Sequence, residues 1–451
     1  MNMVKKSKLA KAHVITVDMG YGHQRASYPL KDIAYNKTIL NANTYKGIPK
    51  SDRDIWKNSR KAYEFISRFK KVPIIGSTAF DIYDKLQAIE PFYPKRDLSA
   101  ANIQIKSMYS LIKRKKWGKH LIDKLAQKPL PLITTFFIPA FMAETFNYPG
   151  EIYCLGTDTD LSRSWAPLNP NMSRIKYFSP NYRVAERLKM YGVNPDNIFI
   201  TGFPLPDEIV GGEKETILKK DLGRRLYNLD PKKKYTSRYK ETIISHLGKK
   251  NFATKQHHPL TLAFAVGGAG AQRELGMEIV KSLKRNIQKK QIKIILVAGT
   301  HSDVNTYFKK ETMDLGLGNQ LGKGIEIIFE RKKEDYFKKF TMALKQTDII
   351  WTKPSELSFY TALGIPLIMS ETIGSQEKFN RRWLKAIGSG IDQENPQHAN
   401  QWLFDWLNSG WFAEAAMQGF IEASTNAVDN IKKVVIHKPE LSHDIQKILQ
   451  Y

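Results

Sequence analysis

The chain has 451 residues, of which 42% are hydrophobic and 25% charged, enough for about two to three domains with apolar cores of their own. Its single cysteine, Cys154, excludes an internal disulfide and any cysteine-cluster zinc or iron–sulfur site, and is typical of a reducing compartment. The 71 Lys and Arg against 44 Asp and Glu give a formal net charge of +27, which predicts an anionic partner (nucleic acid, an acidic membrane surface or a phosphorylated ligand) unless it reflects only a general lysine bias.

Both halves of the chain alternate short apolar runs with helical patterns. The strands predicted for the N-terminal half are 13–17, 132–135, 151–155 and 198–201. Those predicted for the C-terminal half are 261–266, 293–298, 325–329, 348–352 and 365–369, with a helix over 273–288. The first run is too short for a signal-peptide core, and no window approaches the ~18–20 apolar residues of a membrane span.

This alternation predicts an α/β fold with two Rossmann-like domains that face each other across a cleft. The predicted domains are 1–205, a basic insertion or linker over 206–258, a second Rossmann-like domain over 259–400 and a helical segment over 401–451. Residues 211–258 carry 13 Lys and Arg against five Asp and Glu and show no strand pattern. They form either a solvated loop or an anion-binding excursion.

A second basic stretch lies between residues 102 and 121 and contains no acidic residue. Its cations are Lys106, Lys113, Arg114, Lys115, Lys116 and Lys119. Its apolar residues recur at roughly helical spacing and are Ile105, Met108, Leu111, Ile112, Trp117 and Leu121. Two interpretations are open: a basic amphipathic helix that lies on an anionic membrane, or a surface helix whose apolar face packs on the core.

Two glycine turns follow predicted strands. The turn Gly20-Tyr21-Gly22-His23 opens a helix, and His23 is of a side-chain type that can act as a general base near neutral pH. The segment 267–270 (Gly-Gly-Ala-Gly) lacks the Gly-Lys-Ser/Thr of a phosphate-binding loop and is not a full dinucleotide fingerprint, but its backbone N–H groups could bind a diphosphate. Either turn could instead be a plain strand-to-helix connection.

A third cluster is polar. Lys353 and Glu356 follow the strand 348–352, and Gln376, Glu377 and Asn380 follow the strand 365–369. The last three have helical spacing, and their amide and carboxylate groups suit the hydroxyls of a polyhydroxylated ligand. They could also be helix caps and ordinary surface residues.

The order of these motifs resembles the GT-B glycosyltransferases, from about residue 12 to about residue 385. The branch they resemble holds the monogalactosyldiacylglycerol synthases, the processive diacylglycerol glucosyltransferases and the lipid-II-forming N-acetylglucosaminyltransferase. The matching elements are Gly20-Tyr21-Gly22-His23, a Pro- and Tyr-containing segment over 65–83, Thr157-Asp158 with Trp165 downstream, Gly192-Val193 through Thr201-Gly202-Phe203-Pro204, the glycine loop, Thr352-Lys353-Pro354, and 374–380.

The resemblance implies an inverting, metal-independent transfer of a sugar from a nucleotide-diphosphate donor, a UDP-sugar, to a membrane lipid such as diacylglycerol, without a cofactor. It implies His23 as the base, Asp158 as a residue that orients or assists it, and Gly20, Gly22 and Trp165 on the acceptor side. The donor-binding residues that it implies are Gly267, Gly268, Gly270, Lys353, Glu356, Thr361, Gln376, Glu377 and Asn380. Such a protein is expected in the cytoplasm, as a peripheral protein on the cytoplasmic face of the membrane; its oligomeric state is not predicted.

The chain departs from that family in two places. The family has Arg after Thr-Gly-x-Pro, where this chain has Leu205-Pro206. The family also has Gly-Gly after Lys-Pro and a Glu that holds the nucleotide ribose, where this chain has Ser355-Glu356 and Thr361. These departures leave open an alternative, a non-catalytic GT-B-like protein that binds an anionic lipid or polysaccharide.

Two other partners are disfavoured. The sequence has no zinc-finger, helix-turn-helix or aromatic-interleaved basic motif, so nucleic acid is not the predicted partner. His257 and His258 are adjacent, which makes chelation of one metal ion by both unfavourable, so we expect them on the surface and predict no metal site.

Overall fold

The computed structural model describes residues 11–69, 89–266, 270, 272–372 and 375–436, and these form two compact units. The first unit holds the described residues up to Pro204, together with 375–376 and 426–436. The second unit holds the described residues of Leu205–Thr372 and Glu377–Thr425.

The first unit is built on a parallel sheet of six strands. They are β1 (Ala12–Thr16), β2 (Ala34–Asn41), β3 (Leu132–Thr134), β4 (Ile152–Leu155), β5 (Lys176–Ser179) and β6 (Ile198–Ile200), in the order β2-β1-β3-β4-β5-β6. β1, β3 and β4 are buried throughout, as expected for parallel strands covered on both faces. The chain passes from β1 to β2 on one side and to β3 on the other, so the topological switch point lies between β1 and β3.

Helices pack around this sheet. In chain order they are α1 (Gly22–Ser27), α2 (Lys50–Phe69), α3 (Ile103–Lys115), α4 (Lys119–Ala126), α5 (Phe137–Thr145) and α6 (Tyr182–Met190). Of the predicted Pro- and Tyr-containing segment 65–83, residues 70–83 lie outside the described residues.

The basic stretch between residues 102 and 121 forms α3 and α4, and its apolar face packs on the core. Ile105 and Ile112 are fully buried, and Trp117 packs edge-on against Trp56 with ring centroids 4.7 Å apart. The interpretation as a surface helix that packs its apolar face on the core is therefore confirmed. The alternative, in which these apolar residues lie on a membrane, is wrong. All six cations of the stretch are exposed.

The second unit also has a parallel six-stranded sheet. Its strands are β7 (Thr261–Ala265), β8 (Lys293–Gly299), β9 (Ile325–Phe329), β10 (Ile349–Thr352), β11 (Leu367–Met369) and β12 (Gly390–Asp392), in the order β12-β11-β10-β7-β8-β9. Read from β9, this is the 3-2-1-4-5-6 order of the Rossmann fold, with the switch point between β7 and β10. The two sheets confirm the predicted α/β fold with two Rossmann-like domains; their placement across a cleft stays a prediction.

The remaining helices, in chain order, are α7 (Asp207–Val210), α8 (Thr216–Leu229), α9 (Lys234–Arg238), α10 (Lys240–Leu247), α11 (Arg273–Ser282), α12 (Lys284–Gln288), α13 (Ser302–Asp314), α14 (Lys333–Leu344), α15 (Ser375–Ala386), α16 (Ala399–Ser409), α17 (Trp411–Glu422) and α18 (Ala427–Ile436). The predicted helix 273–288 is thus interrupted at Leu283. The last helix belongs to the first unit, where Asn430 Nδ2 donates to the Thr201 carbonyl oxygen at 3.1 Å.

Residues 206–258 form α7 to α10 within the second unit, so this stretch is not a solvated loop. The guanidinium of Arg225 on α8 is buried and donates to the carbonyl oxygens of Leu363 at 2.6 Å, Thr347 at 2.8 Å and Leu344 at 3.3 Å. These bonds attach α8 to the end of α14 and to the segment before β11. Despite its basic composition, this stretch therefore contains a helix, α8, that is part of the core.

Candidate active site

The loops after β1 and β3 meet at the switch point of the first sheet. His23, the second residue of α1, places its Nδ1 2.7 Å from the carbonyl oxygen of Thr135, which follows β3. This contact bridges the two strands between which the chain changes direction. Ligands of open parallel sheets bind at this edge, so the imidazole lies where the fold provides a site.

The contact with Thr135 decides which nitrogen of His23 is basic. A carbonyl oxygen can only accept a hydrogen bond, so the proton must lie on Nδ1. In the neutral ring the lone pair is then on Nε2. Thr157 Oγ1 lies 3.4 Å from Nδ1, on the side of the ring that the backbone already holds. The imidazole is therefore held in the tautomer that a general base needs.

Aromatic side chains form one wall around this imidazole. The ring of Phe136 lies 4.8 Å from that of His23, and the indole of Trp165 lies 6.3 Å from it. Phe137 packs on Trp165 at 5.3 Å. Phe137 and Trp165 are buried, so the partly exposed Phe136 is the ring of this wall that suits an apolar group or the face of a sugar ring. The structure places Trp165 near His23, and its acceptor-side role stays a prediction.

Arg163, which the sequence analysis missed, holds the loop that carries Trp165. Its guanidinium is largely buried and donates to the carbonyl oxygens of Ala166 at 2.7 Å and Pro167 at 3.0 Å, and at 2.6 Å to that of Ser99. Burial lowers the pKa of this guanidinium from its ordinary value. Nothing in the local sequence separates this arginine from the chain's other basic residues, because all three of its partners lie in irregular backbone.

The glycines of the first turn have distinct positions. Gly20 has φ +115°, a backbone conformation that other residues rarely adopt, and nothing lies within 4 Å of the place where its Cβ would be. Its requirement is therefore conformational rather than steric. Gly22 is the first residue of α1, directly before His23. Together they let the chain turn sharply from β1 into the helix that carries the imidazole.

Two aspartates follow β4, and they differ in environment. Asp158 is half-buried in the turn next to Thr157. Asp160 is 2% exposed and forms ion pairs with Arg187, 2.9 Å away, and Arg183, 3.1 Å away, both on α6. Asp160 therefore stabilises the loop, whereas Asp158 directly follows Thr157, whose hydroxyl lies 3.4 Å from the His23 ring.

In the second unit, the loop after β10 is attached to α15. The Nζ of Lys353 pairs with the carboxylate of Glu377, and Asn380 Nδ2 donates to the Pro354 carbonyl oxygen at 3.4 Å. Asn380 is 1% exposed, so it positions this loop rather than presenting its amide to solvent. Gln376, which precedes Glu377 on the helix, is half-buried.

The glycine loop after β7 is only partly within the described residues. Gly267 and Gly268 lie outside them, and Gly270 has φ +72°. Gln272, which the sequence analysis did not select, has φ +69°, donates from Nε2 to the Glu371 carbonyl oxygen at 3.2 Å and accepts from Ser370 Oγ at 2.9 Å. Gln272 therefore ties the end of the glycine loop to the loop after β11.

The two remaining predicted donor residues lie on an eight-residue 3₁₀ helix, Glu356–Leu363. Glu356 is half-buried at its first position. Thr361 is fully buried, and its hydroxyl bonds to that of Ser389. A side chain in the core with its hydroxyl satisfied there cannot reach a ribose, so the structure removes Thr361 from the donor-binding set.

His258 also differs from its prediction. Its Nε2 lies 3.0 Å from Oδ1 of Asp348, which is fully buried, whereas His257 is exposed. Among the described residues, no group of three or more His, Cys, Asp or Glu is placed to hold a metal ion. In the same part of the chain, no helix is both long and apolar enough to cross a membrane.

Comparison with known proteins gives distant matches. A family described as a domain of unknown function (DUF6938) matches residues 249–428, less than half of the chain. The processive diacylglycerol β-glucosyltransferases of Bacillus licheniformis and Bacillus subtilis are each 24% identical over 284 residues, which cover 61% of this chain. The match spans 60% of the length of each relative.

Solved structures are similar over longer stretches at lower identity. A UDP-GlcNAc 2-epimerase from Neisseria meningitidis bound to UDP-GlcNAc is 12% identical, with a TM-score of 0.47 over 95% of this chain and all of that one. MurG of Acinetobacter baumannii is 14% identical, with a TM-score of 0.39 over 72% of this chain and 78% of that one. The sequence similarity to the two glucosyltransferases supports the coarser part of the resemblance, a relation to glycosyltransferases and related enzymes, and selects no branch.

Proposed function

We propose that the protein is a glycosyltransferase that moves a sugar from a UDP-sugar to a lipid acceptor such as diacylglycerol. The observation that carries the proposal is His23, held by the Thr135 carbonyl as a base with its lone pair on Nε2, beside an aromatic wall at the switch point of the first sheet. The similarity to two diacylglycerol glucosyltransferases supports the class of acceptor. In this proposal the first unit binds the acceptor, and the second binds the donor.

The reaction follows from these roles. His23 Nε2 takes the proton of the acceptor hydroxyl as its oxygen attacks the anomeric carbon on the face opposite the diphosphate, so the configuration inverts. The bond to the diphosphate breaks, and its electron pair leaves with UDP. The backbone N–H groups of the loop over 267–270 and the Lys353 ammonium stabilise the charge that develops there. Asp158 orients the base or stabilises its protonated form.

Donor binding requires Lys353 to exchange partners. Its ammonium pairs with Glu377, so a diphosphate must replace that carboxylate. Glu377 is then released to accept from sugar hydroxyls, together with Gln376 on the same helix. Asn380, through the Pro354 carbonyl, keeps Lys353 in place during the exchange.

The exposed basic face of α3 and α4 supports a peripheral position on the cytoplasmic face of a membrane. Six exposed cations lie on it, of which Lys119 pairs with Asp123 on α4 at 2.7 Å. Each Lys or Arg near an anionic surface contributes about 1 kcal/mol of binding free energy. Membrane contact in this proposal is electrostatic, because the apolar face of these helices is buried in the unit.

The test is a transfer assay with the full-length protein. Radiolabelled UDP-glucose, UDP-galactose and UDP-GlcNAc are each incubated with vesicles that contain diacylglycerol and an anionic phospholipid. Labelled glycolipid is expected, and His23→Ala should lower its rate by about 10²–10⁴-fold. His398→Ala, at an exposed position in the second unit, is the matched control. Absence of product, or equal rates for the two variants, contradicts the proposal.

One observation favours a second candidate, a non-catalytic relative that binds an anionic lipid or polysaccharide. Thr361 occupies the position at which the GT-B family that the sequence resembles has the ribose-binding Glu, and Thr361 is buried. Leu205, where that family has Arg, is 1% exposed. Calorimetry separates the candidates: vesicle binding without any heat from UDP or UDP-sugars supports the second and excludes the first.

A further inference from the structure

The second unit has a basic cavity next to the amino ends of its strands. A donor would bind at the carboxyl ends, on the opposite edge of the sheet. The cavity has a volume of about 510 Å³ and lies between α8, the segment before β7 and the segment that joins α14 to β10. Both segments lead into the amino ends of parallel strands. Ligands at the switch point of this sheet lie at the carboxyl ends, so the two places are at opposite edges.

The charges that line this cavity are mostly positive. Lys220 and Arg224 lie one turn apart on α8, and Lys345 faces the cavity from the end of α14. The one carboxylate in the lining is that of Asp221, 3.7 Å from Arg224. Within the described part of the chain, neither the Lys220 nor the Lys345 ammonium has an ion-pair partner. Three cations therefore face one carboxylate.

The hydrogen-bonding groups next to these cations already have partners in the fold. A lysine at a helix C-terminus often donates hydrogen bonds to the last carbonyl groups of the helix. Here the buried Arg225 already donates to the Leu344 carbonyl at the end of α14. The buried Asp348 beneath the cavity is likewise satisfied, by His258 at 3.0 Å and by Asn228 Nδ2 at 3.0 Å. Lys220 and Lys345 act on the fold through charge: together with Arg225 and Arg224 they oppose the rise in the pKa of Asp221 that burial causes.

The imidazole of His257, which also lines the cavity, reports the positive potential. Burial and then the charges of Arg224, Lys255 and Lys220 lower the pKa of His257 from its ordinary value. A bound anion would reverse the second effect. The amide of Gln346 is an uncharged donor in the same lining, whereas the Thr216 hydroxyl donates to the Gly211 carbonyl oxygen at 3.1 Å. Cations with an amide donor in one cavity suit a phosphate group.

We propose that the cavity formed by Lys220, Arg224, His257 and Lys345 is a binding site for a phosphate monoester or diphosphate group, separate from the donor site. The volume admits a phosphorylated small molecule, since ligand sites are usually about 300–1,000 Å³. The same chemistry is offered by a free phosphorylated metabolite and by a phosphomonoester lipid headgroup. The proposal does not depend on the protein being a glycosyltransferase.

The test uses the imidazole C–H resonance of His257, followed by NMR in the full-length protein. This reporter separates the cavity from any diphosphate that binds near Lys353. Adding pyrophosphate should shift the resonance and raise the pKa of His257. In Lys220→Gln/Lys345→Gln the affinity read from the shift should fall about tenfold or more, because two charge-assisted bonds are lost. Lys309→Gln/Lys310→Gln, which removes the same charge from exposed positions on α13, is the control and should bind as the unmodified protein does.

A second arm of the experiment identifies the source of the phosphate. The titration is repeated with vesicles of phosphatidylcholine containing phosphatidate, and with phosphatidylcholine alone as the blank. A response to pyrophosphate without a response to these vesicles assigns a soluble ligand, and a response to the phosphatidate vesicles at lower phosphate concentration assigns a lipid headgroup. No shift with either, or equal shifts in the two double variants, overturns the proposal.

Discussion

The switch points of the two sheets are built differently. At the first, the imidazole of His23 is held by a main-chain carbonyl and flanked by aromatic rings. At the second, the polar side chains bind one another: Lys353 pairs with Glu377, and Gln272 with Ser370. The first site holds its reactive group through a main-chain carbonyl, so it is set before any ligand arrives. The second must break an ion pair when an anionic ligand binds.

The largest expected effect tests the rigidity of the first site. Asp160→Asn leaves the guanidinium of Arg187, which is fully buried, without a full counter-charge. The free energy of unfolding should fall by about 3–5 kcal/mol, measured by chemical denaturation.

Asp158→Asn is the matched control, since that aspartate is half-buried two residues earlier. It should change stability by less than about 1 kcal/mol and lower transfer activity instead. Equal stability losses in the two variants would mean that the loop after β4 does not depend on the buried pair.

The exchange of partners at the second site is tested by calorimetry with UDP and with UDP-sugar. Lys353→Gln should weaken UDP binding about tenfold, because a charge-assisted bond to the diphosphate is lost. Glu377→Gln should bind UDP at least as tightly as the unmodified protein, since the carboxylate that pairs with Lys353 is removed, and should bind UDP-sugar more weakly.

Lys310→Gln controls for net charge and should bind UDP normally. If Glu377→Gln weakens UDP binding as much as Lys353→Gln does, the two residues act as a fixed unit. The second site would then be preformed like the first.

A smaller effect concerns Gln272 at φ +69°. Gln272→Ala keeps the unfavourable backbone and loses both bonds of the amide, so thermal unfolding should show a loss of about 1–2 kcal/mol. Gln272→Gly loses the same bonds but removes the backbone strain, and should be about 1 kcal/mol more stable than the Ala variant. A Gly variant no more stable than the Ala variant would show that this backbone conformation is unstrained.

The smallest effect depends on pH. The hydrogen bond from Arg381, supported by Lys385, holds the pKa of Asp392 below its ordinary value. A carboxyl with a lowered folded pKa stabilises the fold above its unfolded pKa, and this contribution is lost as the pH falls through the folded value. Asp392→Asn should therefore cost about 0.5–1 kcal/mol at pH 7 and nothing at pH values below the folded pKa. Denaturation curves at several pH values check this; a difference that does not change with pH would contradict it.

Periodicity in the sequence locates most of the strands but misses β2, β5 and β12, although three of the four residues of β5 are buried. All the strands predicted from apolar runs are present, with ends shifted by at most two residues. β2 was missed because it is an edge strand in which only Ala34 is buried, so it has no apolar run. β12 was missed because three residues, one of them glycine, carry too little pattern.

For the candidate site, local turn chemistry was predictable and long-range partners were not. The glycine turn that carries His23 is visible in the chain. Which of Asp158 and Asp160 is buried is not, because the partner that buries Asp160 lies 27 residues away on α6. Thr361 was assigned by resemblance to the donor side, and only the packing of the second unit shows that it faces inward.

The packing of Thr361 also limits how this chain can change. A Cβ at Gly419 on α17 would meet the hydroxyl and carbonyl oxygens of Thr361, so helix and 3₁₀ segment touch with no space between them. A longer side chain that follows the direction of the Thr361 hydroxyl would therefore meet α17. Placing a glutamate at position 361 is expected to require a compensating change in α17.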